Sequence, residues 1–310
     1  MNSILSKAQL GTQPGGRPPA AVEITPEGVL AASIPAPGQG AVYAFVPLAP
    51  GALVPGIADT NLLAPEAVAA AIRSALDQVS PRSRSVTAVI PDTVVRVFVL
   101  DFDALPSKPA EAYSVLRFRL RKMVPFDVEH AGLSYQVLVE KKDEAKVLAA
   151  VLPGPVLAEY ETAVRAAGYE PGAVLSSSLA ALAGVDSLQA VLVANISPLA
   201  LTTSISNGQD LLLYRTLDLP ENPVVRLEEV RRGVAVAAAY YEDKLGTPPA
   251  QLYFAGNTSF HESGSEAFAR WIDFPDLEVL DLNTRPATGA VASVGSASIA
   301  GVAGALAGVR

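Results

Sequence analysis

The feature that most limits what this chain can fold into is a pattern that occurs twice. Three short β-rich stretches, Ala20–Ile24, Gly28–Ile34 and Ala41–Val46, are separated by Thr25-Pro26-Glu27 and by the Pro/Gly-rich run Pro35–Gly40. Turn residues between such runs predict a three-stranded meander. The triplet returns at Ala190–Asn195, Ala200–Ile205 and Asp210–Thr216, with Asn207-Gly208 as the hairpin turn between the last two. Each triplet is followed by a helix and another strand: Ala64–Val79 and Ser85–Ile90 in the first half, Val225–Leu245 and Gln251–Ala255 in the second. Val86–Ile90 is mostly apolar without alternation, which predicts a strand covered on both faces. Two βββαβ halves need two mixed sheets sheathed by helices, so the sequence predicts an α/β fold built by internal duplication.

Extra elements lie between and after the halves. Val94–Leu100 reads as a strand and Lys108–Met123 as a helix carrying Arg117, Arg119, Arg121 and Lys122, a cluster read first as a solvated face. Leu133–Glu140 and Ala145–Leu152 flank a charged hairpin tip. Pro155–Ala167 reads as a helix, Gly172–Leu175 as a short strand, and Ser176–Ala183 as a helix with Ser176, Ser177 or Ser178 as its cap. Glu262–Ile272 (helix), Leu277–Leu280 (strand) and Ser293–Gly308 (helix) close the chain. The expected organisation is a flexible leader over 1–19, a first lobe over 20–185 with a small inserted subdomain at about 101–168, a second lobe over 186–290, and a C-terminal helix over 291–310 returning to the first lobe.

Charge and composition exclude several functions. The 310 residues hold 23 Lys+Arg against 31 Asp+Glu, a net charge of −8 without basic blocks, which argues against nucleic acid as a partner. There is no cysteine, so there is no disulfide or thiol nucleophile. His130 and His261 stand alone, outside any metal-binding spacing, and no metal site is expected. Asp101 and Asp103 read as a solvated strand end, and Gly15-Gly16 and Gly38–Gly40 lack the Lys-Ser/Thr of a Walker loop. Met1–Leu10 has one basic residue and no long apolar run, so it does not read as a signal peptide, and a cytoplasmic protein is expected. Thr288–Val309 is uncharged and contains Gly304-x-x-x-Gly308, but it is mostly Ala, Gly, Ser and Thr; a closely packed helix is expected rather than a membrane span.

Two βββαβ halves with an insertion in the first resemble the actin-like (ribonuclease-H-like) ATPase plan. Within it, Val86–Pro91 followed by Asp92-Thr93-Val94-Val95-Arg96, then Leu105-Pro106, the helix ending Met123-Val124-Pro125-Phe126, and Ser134–Leu138 resemble the type IV pilus assembly family PilM. Ala166-Ala167-Gly168-Tyr169-Glu170-Pro171 and Ala239-Tyr240-Tyr241 ahead of Leu252–Gly256 add to the likeness, with Lys122–Leu138 its most specific part. The resemblance implies a cytoplasmic scaffold, peripheral on the inner membrane, that binds the short cytoplasmic tail of a PilN-like membrane protein and connects to pilus motor ATPases. It also implies kinship with the cytoplasmic GspL module of type II secretion. It assigns no partner-contact residue here.

An actin-like ATPase holds phosphates in two hairpin loops whose Asp-x-Gly lets backbone N–H groups approach the anion while the Asp positions Mg²⁺. In this chain Glu23 stands at the first Asp position, Thr25 at the Gly position, and Pro26 removes a donor, with Glu27 adding negative charge. In the second loop Asn195 replaces the Asp and Ser197 the Gly, and Pro198 removes another donor. The adenosine segment keeps Gly256 but has Asn257 where a second glycine would sit. The sequence therefore predicts a degenerate cleft with weak or no Mg-ATP binding, no catalytic residue and no expected cofactor, and a scaffold without ATP hydrolysis. The alternatives are an active actin-like ATPase that still cycles nucleotide with altered phosphate loops, a GspL-like module, or a component anchored through Thr288–Val309.

Overall fold

The computed structural model describes residues 17–307 except 37, 59, 209, 257–264, 275 and 284–296. The first lobe begins with the meander β1 (Ala20–Thr25), β2 (Gly28–Ser33) and β3 (Val42–Pro47), followed by α1 (Pro65–Val79) and β4 (Ser85–Ile90). The chain then leaves through a 3-10 turn, Asp92–Val94, into β5 (Arg96–Phe102), α2 (Pro109–Leu120), β6 (Gly132–Lys141) and β7 (Glu144–Leu152). It returns through α3 (Gly154–Ala166), β8 (Glu170–Ser176) and α4 (Ser177–Ala181). The second lobe runs β9 (Ala190–Ile196), β10 (Ala200–Asn207), β11 (Asp210–Asp218), α5 (Pro223–Leu245), β12 (Gln251–Gly256), α6 (Ser265–Trp271) and β13 (Glu278–Asp281), and α7 (Ala300–Leu306) follows.

The duplication is visible in the sheets. One has the order β3-β2-β1-β4-β8 and the other β11-β10-β9-β12-β13. In each, the meander is antiparallel and the remaining strands run parallel to the first one. This is the actin-like plan, with the ends of β1 and β9 in equivalent places.

Side-chain alternation decides what each face meets. Ala20, Val22 and Ile24 of β1 join Val68, Ile72 and Leu76 of α1 and Tyr160 and Val164 of α3 in one core. Ala21 points the other way, with Leu30, Val89, Ala180 and the α7 residues Val302, Ala305 and Leu306. Because both faces are covered, β1 and β2 are buried almost throughout. Pro65 opens α1, where its missing N–H costs nothing.

The inserted sheet has the order β5-β7-β6. One face, with Leu100, Val147, Ala149 and Val151, takes Leu116 and Leu120 of α2. The other carries Leu148 with Val97, Val99 and Ala150 against Val191, Val193, Leu211 and Tyr214 of the second lobe. The insertion thus spans Arg96–Leu152 as a folded unit and bridges the lobes, whereas the sequence reading placed it at about 101–168. The difference lies in α3, whose Val156, Tyr160, Ala163 and Val164 belong to the first lobe's core.

Smaller differences have local causes. β5 starts at Arg96 and not at Val94, because Val94 N–H bonds Pro91 O and Val95 N–H bonds Asp92 O, closing a turn. The strand after α3 is longer than Gly172–Leu175. It tolerates Pro171 because β8 is an edge strand, and the pairing with β4 shifts register between Val86 and Thr87. The helix after it is shorter than Ser176–Ala183, giving way to a 3-10 turn at Leu182–Gly184.

Candidate functional site: the junction between the lobes

The ends of β1, β4 and β9 and the start of α4 meet between the lobes, where polar side chains are buried. On β9, Val191 and Val193 face the first lobe, so Asn195, two residues on, shares that face. On β1, Glu23 shares the face of Ala21. Both sequence-nominated residues are buried, Glu23 at 5% and Asn195 at 7% exposure.

Their common partner is the serine run at the start of α4. Ser177 Oγ donates to Glu23 Oε1 at 2.6 Å. Asn195 Nδ2 donates to Ser178 Oγ at 2.8 Å and lies 3.3 Å from Ser177 Oγ. Ser178 in turn donates through N–H (3.1 Å) and Oγ (2.5 Å) to Asp92. Thr202 Oγ1 of β10 reaches Asp92 Oδ2 at 3.2 Å, and Thr216 Oγ1 lies 3.0 Å from Thr202 Oγ1. Tyr214 OH of β11 donates to Asp92 Oδ1 at 3.4 Å and sits 3.3 Å from Ser176 Oγ, the residue that caps α4 through Leu179 N–H. Asp92 of the first lobe is therefore held by residues of both lobes.

Two carboxyl groups share this buried junction. Burial, opposed by the Ser177 bond and reinforced by the charges of Asp92 and Glu27, pushes Glu23 up to about 7. Burial likewise raises Asp92, against the hydrogen bonds from Ser178, Thr202 and Ser176. The same burial, with Asp92 nearby, holds Tyr214 protonated. Among the described residues Glu23 Oε2 has no hydrogen-bond partner. It faces α7, where a methyl placed on Gly301 would lie 2.5 Å from it.

The other nominated positions serve turns. Thr25 Oγ1 donates to Gly28 O at 3.0 Å across the β1–β2 hairpin, and Glu27 is exposed at its tip. Ser197 Oγ accepts from Leu199 N–H at 3.3 Å and Ala200 N–H at 3.0 Å, closing the β9–β10 turn on itself. These are the donors that a phosphate loop would direct at its ligand, and Pro198 supplies none.

Gly256 ends β12 at φ +116°, and a side chain there would strike the Ile196 backbone. Its N–H goes to Ser298 Oγ (3.2 Å) and its carbonyl accepts from Asn283 Nδ2 (3.1 Å). Ser298 Oγ donates to Asn283 Oδ1 at 2.7 Å, and Ile299 N–H bonds that same oxygen at 3.2 Å. The second lobe thus grips the approach to α7, while α7 lies on Glu23 and α4 of the first. Asn257 and His261 fall outside the described residues.

The remaining sequence candidates stand apart from the junction. His130 pairs with Asp127, Nδ1 to Oδ2 at 2.6 Å, on the surface. Asp101 and Asp103 are exposed. Arg117 donates to Val128 O and Ala131 O, and Arg121 pairs with Glu129. Among the described residues no group of three His, Cys, Asp or Glu could hold a metal, and no helix is long and apolar enough to cross a membrane.

Sequence reading missed Asp92, Ser178, Thr202 and Tyr214 as parts of one site. A usable signal existed for Asp92: an acid placed directly after the buried strand Val86–Ile90 and Pro91, followed by no loop long enough to carry it into solvent. Thr202 and Tyr214 gave none, because threonine and tyrosine are ordinary strand residues.

No family model matches the chain, and no curated protein does. Solved structures do. A chain of the PilM-PilN type IV pilus biogenesis complex superposes with a TM-score of 0.76 at 18% identity, covering 94% of this chain and 98% of that one. The cytoplasmic domain of EpsL, an inner membrane component of the type II secretion system of Vibrio cholerae, gives 0.51 at 13% identity over 93% and 92%. A Bacteroides thetaiotaomicron protein with an actin-like ATPase fold and unknown function gives 0.52 at 11% identity over 87% and 94%. This chain has the actin-like fold and resembles the pilus-complex chain along nearly its whole length.

Proposed function

We propose that this protein is a PilM-like scaffold of a type IV pilus assembly platform. In this reading it sits on the cytoplasmic face of the inner membrane, holds the cytoplasmic tail of a PilN-like membrane protein, connects to pilus motor ATPases, and hydrolyses no ATP. The observation that carries it is the superposition on a chain of the PilM-PilN complex over 94% of the sequence, insertion included. The lower score of the EpsL domain, 0.51, ranks the secretion-module reading second.

The absence of ATP turnover is supported by the junction's donor set. A Mg-nucleotide needs free backbone donors in both loops and an ionised carboxylate to position the metal. Here the second-loop N–H groups of Leu199 and Ala200 are bound to Ser197. Glu23 is held toward its neutral form by burial, and Gly301 closes over its outer oxygen. Gly256 has both backbone groups committed to Ser298 and Asn283. The residues present do not fit the nucleotide.

Co-expression with the PilN-like protein, intact and with its cytoplasmic tail deleted, tests the scaffold reading. Co-purification that depends on the tail is the expected result. Equal recovery with and without the tail overturns it, and Mg-dependent release of phosphate by the purified protein overturns the claim of no turnover.

A further inference from the structure

We infer that Glu23 and α7 form a proton-dependent clasp between the lobes: the helix seats on a neutral carboxyl and is released when that carboxyl ionises. The geometry is specific. α7 approaches through glycines, Gly301 over the Glu23 carboxyl and Gly304 against the Ala180 carbonyl, where a methyl group would collide. Val302, Ala305 and Leu306 fill the groove beside them. On the other side Ser298 and Asn283 tie the start of the helix to Gly256 of the second lobe. α7 therefore touches both lobes, and Glu23 Oε2 lies beneath it without a partner among the described residues.

Among the described residues, the groups packed around Glu23 offer it no counter-charge. Ser177 of α4 satisfies Oε1, leaving Oε2 alone. The charges that act on it are Asp92, after β4, and Glu27, at the hairpin tip, both acidic. Asn195 of β9 is neutral, and α7, AGVAGAL, holds no titratable side chain. A neutral carboxyl fits this setting, whereas a carboxylate would place charge against Gly301 with half its hydrogen bonds unmade. Ionisation, the proton passing to solvent, therefore favours the state in which α7 has lifted and water reaches Oε2. With burial pushing Glu23 from 4.5 up to about 7, the balance shifts toward the lifted state as pH rises between those values and is fully shifted above the second.

Hydrogen–deuterium exchange of the α7 amides in the full chain, corrected for intrinsic rates, tests the clasp. With the Glu23 carboxyl held up to about 7 in the closed state and at its ordinary 4.5 once α7 has lifted, protection falls about tenfold between pH 6 and pH 8. Glu23→Gln should abolish that loss and keep α7 protected at pH 8. Wild-type protection that is equal at both pH values, or a pH response that persists in Glu23→Gln, overturns the proposal. A second pair of variants keeps the test open if Glu23→Gln folds poorly. Gly301→Ala should expose α7 at either pH, and Glu23→Ala in that background should restore protection by removing the oxygens the methyl meets. No restoration in the double variant overturns the contact on which the clasp depends.

Discussion

Ser177 Oγ and Glu23 Oε1 stand 2.6 Å apart although 154 positions separate them in the chain. The bond joins the first strand of the first lobe to the helix that leads into the second, and Asn195 reaches the same serine from the second lobe. The consequence for stability is a dependence on pH opposite to that of a salt-bridged carboxylate.

The sign follows from the direction of the shift. Glu23 is raised from 4.5 to about 7 in the folded protein. Below the unfolded value both states are protonated and the group costs nothing. Between the two values the unfolded chain gives up its proton first, and above the folded value the cost is complete, about 3 kcal/mol at 1.36 kcal/mol per unit. Asp92 is raised too and adds a cost of the same sign. Urea denaturation should therefore show Glu23→Gln matching the wild type near pH 4 and exceeding it by up to about 3 kcal/mol at pH 8. Equal differences at both pH values would refute the assignment.

Asp92 is the acceptor for Ser178 N–H, Ser178 Oγ, Thr202 Oγ1 and Tyr214 OH. Asp92→Ala strands these buried donors and should lower stability by roughly 3 kcal/mol or more, since each unsatisfied group costs about 1–3 kcal/mol. Asp92→Asn keeps an acceptor oxygen in place and should cost clearly less. The two variants compared by chemical denaturation separate lost hydrogen bonding from lost charge; an equal cost would point to the charge.

Helix α2 offers a contrast within two positions. Leu116 is fully buried against the inserted sheet, while Phe118 is 69% exposed. Leu116→Ala should cost about 2–5 kcal/mol through the cavity it leaves, and Phe118→Ser should stay within about 0.5 kcal/mol. Thermal or urea melts of the two variants check this. A large loss for Phe118→Ser would mean that α2 packs differently.

Much of this fold was legible because its punctuation is strong. Thr25-Pro26-Glu27 and Asn207-Gly208 mark hairpins by chemistry that suits few alternatives, and the repeated triplet then implies two similar sheets. Glu23 and Asn195 could be nominated because a duplicated fold places the ends of β1 and β9 in equivalent positions. What stayed hidden depends on the relation between lobes. Val97 and Val99 alternate with Phe98 and Leu100 on β5, which predicts two covered faces but not that one of them meets Val191 and Tyr214. In the same way α3 carries an apolar stripe that suits either the insertion or the first lobe. Only packing assigns it to the core of Ile72 and Leu76.

The junction also predicts how the protein responds to nucleotide. A ligand that binds only the folded state raises stability by RT ln(1 + [L]/Kd), about 2.7 kcal/mol when ligand is present at a hundred times Kd. An ATPase with a dissociation constant of about 10 µM would therefore gain that much from millimolar Mg-ATP. In this chain the N–H groups of Leu199 and Ala200 are taken by Ser197, and those of Gly256 and Ile299 by Ser298 and Asn283. Each would have to be broken before a phosphate or base could replace it. Glu23 would have to ionise beneath α7 as well, an added cost below about pH 7. Millimolar Mg-ATP should accordingly add less than about 0.4 kcal/mol, the gain when ligand only equals Kd. Denaturation with and without Mg-ATP measures it directly, and a gain near 2.7 kcal/mol would restore the ATPase reading.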